Sequence, residues 1–189
     1  MDLLPLDDPR WLELEHRNWS QGKRSPEAPD APFIPNELSK LWDDPADRDR
    51  FNDLWPWVCS EGTAWAAAYA VVPYAVAFAE RLAPERRFDY LYFVGLVAIC
   101  SCPEGGGSFE IEPFLAGSYQ HALTRALPLL AQTLQCQHDA TETRYLLAVI
   151  AALKGHTALG EVLNNMDCVS GTCPRCGEEV YPQELQQLG

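Results

Sequence analysis

Apolar residues recur at helical spacing along most of the chain, and few stretches alternate between apolar and polar positions as strands do. The pattern predicts a helix over 64–83 that is apolar on most faces and therefore buried, and a second helix over 86–100. Two further helices are predicted over 112–134 and 140–155, and a short one over 156–164 precedes a cysteine-containing tail. We therefore expect an all-α protein.

Proline and Arg–aromatic pairs follow one another in a degenerate repeat. Interior proline costs a helix about 3 kcal/mol and usually kinks it, so kinks are expected near Pro73 and Pro128. An Arg–aromatic pair opens the next helix each time, and the same order occurs near the N-terminus. The three sets are Pro35 with Arg50-Phe51, Pro73 with Arg87-Phe88, and Pro128 with Arg144-Tyr145. Their spacing is near or above the ~40–47 residues of HEAT-type repeats.

This repeat predicts a short HEAT-like, right-handed α-solenoid of about three antiparallel helix pairs. The helical-repeat domain is expected to cover residues 1–165. The remaining residues, 166–189, form a C-terminal tail that we expect to pack on the end of the solenoid.

The charge balance limits the classes of partner. The 189 residues include 14 Lys and Arg against 27 Asp and Glu, which gives a net charge of −13. Such a charge repels phosphate backbones and anionic lipid surfaces, so we expect neither a nucleic-acid nor a membrane partner. It suits a basic protein partner, or it serves solubility alone. The sequence is silent on the oligomeric state.

Localisation is predicted from the absence of targeting signals. The N-terminus "MDLLPLDDPR" has no basic n-region and no apolar h-region, which predicts that there is no signal peptide. The longest uncharged apolar run, 64–79, is too short to span a bilayer and contains Pro73. The seven cysteines are an odd number and are interpreted as reduced thiols or metal ligands. A cytoplasmic protein is expected.

Three segments carry a resemblance to a known group of proteins: "WLELEHRNWSQG", "IPNELSKLW" and "LWPWVCSEGTAWAAAYAVVPYAVAFA". With them, residues 11–155 resemble bacterial HEAT-like repeat proteins. Those have a Trp-x-x-Leu-x-His start, a Leu-Trp stretch and a Glu-Gly-Thr-(Ala/Val)-aromatic signature, here Glu61-Gly62-Thr63-Ala64-Trp65. The resemblance implies a helical-repeat fold. Most such proteins are uncharacterised, and some look like immunity proteins or binding scaffolds.

The Glu-Gly-Thr signature also has a physical explanation. Thr63 is placed to cap a helix that begins at Ala64, and Glu61 lies where a helix N-terminus favours negative charge. Three tryptophans crowd the same corner, either as aromatic anchors of a recognition surface or as core packing between the first two repeats. The candidate partner-binding residues are Trp55, Trp57, Trp65, Glu61, Asp43, Asp44 and Asp47.

Motifs of enzymes are missing from the sequence. It contains no phosphate-binding loop, no Gly-x-Ser-x-Gly elbow and no His-Glu-x-x-His, and the four histidines are scattered. We therefore predict no catalytic residues and a protein that is not an enzyme.

The tail "CVSGTCPRCGEEVYPQ" contains one zinc-knuckle motif, CPxCG, in which Cys173 and Cys176 present two thiolates to one point. A structural zinc site needs four ligands, so the pair is half a site or a remnant without metal. If the last helix runs parallel to 112–134, their C-terminal ends lie side by side, and the missing ligands are Cys136 and His138, with Cys168 as substitute. Zinc would then pin the tail over the open end of the solenoid.

The leading functional hypothesis is a non-enzymatic, acidic helical-repeat protein that binds a basic protein partner, as an immunity-type or scaffold protein. Stacked helices provide an extended concave surface, and the negative charge would speed encounter with a cationic one. The alternative is a zinc-dependent enzyme with its metal among Cys136, His138 and the C-terminal cysteines. Three or four thiolates are the pattern of structural rather than catalytic zinc, which favours the first hypothesis. Cys100 and Cys102 are expected at the edge of the solenoid opposite to Cys136 and His138.

Overall fold

A computed structural model describes residues 3–20, 33–60, 63–100 and 110–166, and the backbone of 171–172 and 179–180. Within these ranges the protein is all-α, which confirms the predicted fold class. The helices are α1 (Arg10–Ser20), α2 (Phe33–Asp43), α3 (Arg48–Val58), α4 (Ala68–Arg81), α5 (Phe88–Cys100), α6 (Pro113–Thr133), α7 (Ala140–Leu153) and α8 (Thr157–Asn164). Two very short antiparallel pairs accompany them, β1 (Cys59–Ser60) with β2 (Thr63–Ala64) and β3 (Gly171–Thr172) with β4 (Glu179–Val180).

The start of α4 differs from the prediction. Thr63 was expected to cap a helix beginning at Ala64, but both residues form β2 and pair with β1. The Trp65 N–H then donates to the Val58 carbonyl oxygen at 2.9 Å, so the chain reverses before the helix begins. As a result α4 begins only at Ala68, with no side-chain cap at its N-terminus.

The helices contact one another in two rows. In one row α2 packs on α4 and α4 on α6, and in the other α3 packs on α5 and α5 on α7. Within pairs, α2 packs on α3, α4 on α5, and α6 on α7. The HEAT-like repeat and its right-handed turn remain predictions.

The core lies between these rows, and α4 is its centre because almost every residue of that helix is buried. Pro73 and Pro128 lie inside α4 and α6, which both continue through them. On the other row, α5 and α7 approach closely at Gly95. A Cβ added to Gly95 would lie 2.7 Å from the Val149 Cβ, so the absence of a side chain sets the distance between these helices.

Helix α8 folds back on α7. Gly155, with φ of +86°, makes the turn, since a left-handed conformation favours glycine. Gly160 then faces the Ala148 carbonyl oxygen and the Ala152 side chain, which brings α8 close to α7. The main contacts of α8 are with α7 and α5 rather than with α6. The side-by-side placement of the C-terminal ends of α6 and α8 therefore stays a prediction, because the tight turn places α8 mainly along its immediate predecessor.

Among the helices of the described residues, none combines the length and apolarity needed to cross a membrane.

Candidate functional site

The link between α2 and α3 is shaped by two of the predicted partner-binding carboxylates. Asp44 accepts a hydrogen bond from the Ala46 N–H at 3.0 Å, and Asp47 caps α3 by accepting from the Arg50 N–H at 3.0 Å. Both carboxylates therefore have a structural role in the turn. The short link makes α2 and α3 an antiparallel hairpin, so the end of α3 lies near the start of α2 at Phe33.

Two cations of this hairpin, Lys40 and Arg50, form ion pairs with carboxylates of the same hairpin. Arg50 pairs with Glu37 at 2.7 Å and with Asp47 at 3.1 Å, and Lys40 also reaches Glu37. Burial opposes the charge of Glu37, but the hydrogen bonds from Lys40 and Arg50 hold the pKa of its carboxyl below the ordinary value. The exposed carboxylates elsewhere on the hairpin therefore give its surface a negative charge.

One face of α3 presents two such carboxylates and a tryptophan. Asp49, Asp53 and Trp57 are spaced four residues apart, so they lie along one face of the helix, and all three are exposed. The Trp57 side chain is 41% exposed, with its ring 5.3 Å from that of Phe33. We call Asp49, Asp53 and Trp57 the acidic α3 face. Asp43, exposed at the end of α2, adjoins the beginning of α3.

The end of α2 carries a second exposed tryptophan. Trp42 is 41% exposed and packs edge-on against Phe78 of α4, with ring centroids 5.9 Å apart. The Arg81 guanidinium lies 5.4 Å from the Trp42 ring centroid and donates to the Trp42 carbonyl oxygen at 2.6 Å. These contacts fix the end of α2 on α4.

The other two predicted anchors belong to the core. Trp65 is only 8% exposed, and Trp55 is half-buried, with its ring 5.4 Å from Tyr92 and 5.5 Å from Phe93. The burial of Trp65 and the ring contacts of Trp55 favour the second interpretation, core packing at this corner. Of the three tryptophans, Trp57 alone is well exposed. Glu61 lies outside the described residues.

His138, a predicted metal ligand, holds the link between α6 and α7. One ring nitrogen lies 2.9 Å from a Glu142 carboxylate oxygen, and the other lies 2.8 Å from the Thr133 carbonyl oxygen. Both partners offer acceptor oxygens, which favours the protonated ring. Burial opposes this charge, but the bonds with Glu142 and Thr133 raise the pKa of His138. Both ring nitrogens are thus engaged within the link between α6 and α7.

Cys136 is the other predicted ligand in this link. It is half-buried, and its Sγ donates to the Gln132 carbonyl oxygen at 3.8 Å. Within the described ranges, no group of three or more His, Cys, Asp or Glu side chains is arranged to hold a metal ion. The remaining predicted ligands, Cys168, Cys173 and Cys176, lie outside the described residues, as does Cys102.

Cys100 lies at the other end of α5 from this link. The His138 ring lies 6.4 Å from the ring of Phe88, the first residue of α5, and Cys100 is the last. A helix of this length extends for roughly 18 Å. The position agrees with the expectation that Cys100 lies at the edge opposite Cys136 and His138.

Sequence reasoning missed one feature of these surfaces. The four-residue spacing of Asp49, Asp53 and Trp57 could have indicated the acidic α3 face, because residues so spaced share one side of a helix.

Comparisons with known proteins add no further information. No protein-family model matches the chain, and neither a search of curated proteins nor one of solved structures returns a match. The resemblance to HEAT-like repeat proteins stays a prediction, and function is inferred from the residues themselves.

Proposed function

We propose that this chain is a non-enzymatic, acidic HEAT-like helical-repeat protein that binds a basic protein partner, in the manner of an immunity or scaffold protein. The partner contacts the acidic α3 face, with Trp57 as the aromatic anchor. Asp49 and Asp53 lie beside it as the charged rim.

The observation that carries this proposal is the alignment of Asp49, Asp53 and Trp57 on one exposed helix face. Tryptophan is enriched among the residues that contribute most to binding. Carboxylates around such an anchor select a cationic partner and speed its approach more than they add affinity.

Internal ion pairing supports the choice of this face. Arg48 pairs with Asp89, and Arg50 pairs with Asp47 and Glu37, so the basic residues of α3 are engaged within the fold. The surface that α3 offers is therefore dominated by exposed carboxylates. The net charge of −13 adds a long-range attraction for cationic proteins.

The two rows of contacting helices support the HEAT-like part of the proposal. Helix pairs stacked in two rows give an extended surface that a partner can follow over several helices. The α2–α3 hairpin is the first of the three proposed pairs, so its outer face is not covered by a preceding pair among the described residues.

Site-specific photo-crosslinking in the cells that produce the protein tests the proposal. A benzoylphenylalanine placed at position 57 should form an adduct with a basic protein, and the matched probe at Leu147 of α7, which is 46% exposed, should not. The adduct should disappear when Asp49 and Asp53 are changed to Asn. Equal yields at the two positions, an adduct that survives both substitutions, or a captured protein that is acidic would contradict the proposal.

We further propose that Cys173 and Cys176 hold one structural zinc ion together with Cys136 and Cys168. Cys136 is preferred to His138 as a ligand because both ring nitrogens of His138 already have hydrogen-bond partners within the fold. Support comes from the antiparallel pairing of Thr172 with Glu179, which brackets the CPxCG sequence with paired backbone.

Exposed apolar side chains at the end of the described fold support a cap formed by the tail. Leu159, Val162 and Met166 are 53%, 58% and 42% exposed, and residues 167–189 follow directly. Terminal repeats need a covered or polar outer face to remain in solution. A zinc-stabilised tail over α8 would meet that need.

A further inference from the structure

A groove separates the N-terminal segment from α2, on the side of α2 that faces away from α3. Phe33 and Glu37, which contact α3, lie on the other side of the same helix. The groove has a volume of about 450 Å³, within the range of roughly 300–1,000 Å³ that is typical of ligand sites. The N-terminal segment contributes Leu6, Asp7 and Pro9 to its lining, and α2 contributes Pro35, Asn36 and Ser39.

Both walls of the groove are fixed by contacts behind them. In the N-terminal segment, the Pro5 carbonyl oxygen accepts a hydrogen bond from the Trp11 indole N–H at 2.8 Å. The Leu4 carbonyl oxygen accepts from the Tyr74 hydroxyl of α4 at 2.5 Å. On the other wall, Leu38 of α2 is fully buried in the core. The groove is therefore preformed, so a ligand does not have to order its walls.

The polar side chains of the groove differ in whether the fold already uses them. Asp8, which also lines the groove, is engaged by Arg10, whose Nε donates to its carboxylate at 2.8 Å. Among the described residues, no hydrogen bond or ion pair engages the side chains of Asp7, Asn36 and Ser39, and all three are exposed. The groove therefore presents one uncompensated negative charge, with further acceptor oxygens that have no internal donor.

This set of groups matches a guanidinium group. A carboxylate accepts two parallel N–H groups from an arginine, and the other N–H groups of the planar fork remain for separate acceptors. Leu6, Pro9 and Pro35 supply apolar surface for the methylene stem. A guanidinium is also more weakly hydrated than the ammonium of lysine, so a partly apolar groove opposes its entry less.

We propose that the groove between the N-terminal segment and α2 binds the side chain of an arginine. The Asp7 carboxylate receives the guanidinium, and the Asn36 side-chain carbonyl and the Ser39 hydroxyl are the further acceptors. The methylene stem lies against Pro9 and Pro35. The site holds one side chain reversibly.

The source of this arginine rests on the proposed function, since it belongs to the basic partner that contacts the acidic α3 face. Asn36 and Asp43, seven residues apart and both exposed, mark the outer side of α2 between the groove and α3. A helix with its side chains is roughly 10–12 Å wide, so a partner seated on Trp57 crosses only one helix to reach the groove.

Titration of the isotope-labelled full-length protein with Nα-acetyl-arginine amide, followed by two-dimensional NMR, tests the site. We expect saturable shifts of the backbone amide signals of Asp7, Asn36 and Ser39, because these residues line the groove. The citrulline analogue has the same shape without the charge and should bind about tenfold more weakly. The lysine analogue should bind about threefold more weakly, because its ammonium lacks the planar fork.

Two variants that each lose one charge locate the binding. Asp7→Asn should weaken binding of the arginine probe about tenfold, because the carboxylate is gone. Asp53→Asn, on the acidic α3 face, is the matched control and should keep the wild-type affinity for the probe within about twofold. The inference is overturned if the probe shifts no signal of the groove, if either analogue binds as tightly as arginine, or if the two variants lose affinity equally.

The probe needs no partner, so a failure of this inference is distinguishable from a failure of the proposed function. Binding of the probe in the groove, without a basic protein crosslinked at position 57, would contradict the proposed function and leave the site in place. A basic protein crosslinked at position 57, without binding of the probe, would overturn the groove inference alone.

Discussion

Glu15 of α1 caps the N-terminus of α2, with one carboxylate oxygen accepting from the Ile34 N–H at 2.7 Å. Its second oxygen accepts from the Phe33 N–H at 3.0 Å, so the side chain satisfies two of the amides that a helix start leaves unpaired. Glu15 is only 1% exposed, although it lies on a helix with a mostly polar sequence. This contact fixes α1 on the hairpin that carries the acidic α3 face.

Changing Glu15 to Gln should reduce the free energy of unfolding by about 1–3 kcal/mol, because the amide group then turns a donor toward one of the two N–H groups. Urea denaturation gives the difference. The matched control is Glu13→Gln on the exposed side of the same helix, which should stay within about 0.5 kcal/mol of the wild type. Equal losses in both variants would show that the cap has no special contribution.

The same carboxyl should make the stability dependent on pH. Burial raises the pKa of Glu15 above its ordinary value of 4.5, against the lowering effect of the bonds from Phe33 and Ile34. An acid whose pKa is raised by folding contributes stability that is fully present at pH values below its pKa in the unfolded chain. This contribution is lost as the pH rises through the pKa in the folded protein. The difference in the free energy of unfolding between wild type and Glu15→Gln should therefore be larger at pH 4 than at pH 7. A difference in the free energy of unfolding that increases toward neutral pH would contradict this prediction.

Substitution of two glycines by alanine should change the stability of the fold in opposite directions. Gly95→Ala should destabilise the fold by about 1–3 kcal/mol, because the new methyl group overlaps the Val149 side chain. Gly117→Ala on the exposed side of α6 meets nothing within 4 Å and should stabilise the fold by about 0.5–1 kcal/mol. Thermal and urea unfolding measure both variants.

A second substitution checks the cause of the Gly95 effect. Adding Val149→Ala removes the overlapping methyl groups, so the double variant should lose less stability than the two single variants together. Additive losses would mean that Gly95 is needed for a reason other than the close approach to Val149.

Metal analysis tests the zinc proposal. Protein purified without chelator and after zinc supplementation should contain one equivalent of zinc, and Cys176→Ser should lose it. The helical circular dichroism signal should remain, because the apolar contacts of the helices and not the metal stabilise the core. Cys100→Ser, at the far end of α5, should keep the zinc. Metal far below one equivalent in the wild type, or loss of zinc from Cys100→Ser, would contradict the proposed ligand set.

Much of the helical structure could be predicted from the sequence because its signal is local. The apolar period of residues 113–133 is continuous, so α6 was found nearly to the residue. The start of α4 was missed because Thr63 and Ala64 pair with Ser60 and Cys59 across a turn, and that pairing overrides the capping pattern.

The candidate surfaces were predictable only in part, because contacts between separate segments override the local pattern here as well. Tryptophan clustering indicated that this corner is rich in aromatic contacts, but the sequence does not show that Trp65 is buried while Trp57 is exposed. The Glu15 cap joins residues of two helices that tertiary packing alone brings together. No spacing rule within a single helix reports such pairs.

The rate of association with the protein captured at Trp57 tests the central claim most directly. Stopped-flow measurements over a range of ionic strengths compare the wild type with two triple variants of equal charge. One neutralises Asp43, Asp49 and Asp53 to Asn, and the control neutralises the exposed Glu13, Glu85 and Glu110 to Gln.

The first variant should associate about tenfold more slowly at low salt, with a flatter dependence on ionic strength, while its melting temperature stays close to that of the control. The control should keep most of the wild-type rate, because none of its lost charges belongs to the acidic α3 face. Equal association rates for the two variants would contradict the claim that this face receives a basic partner.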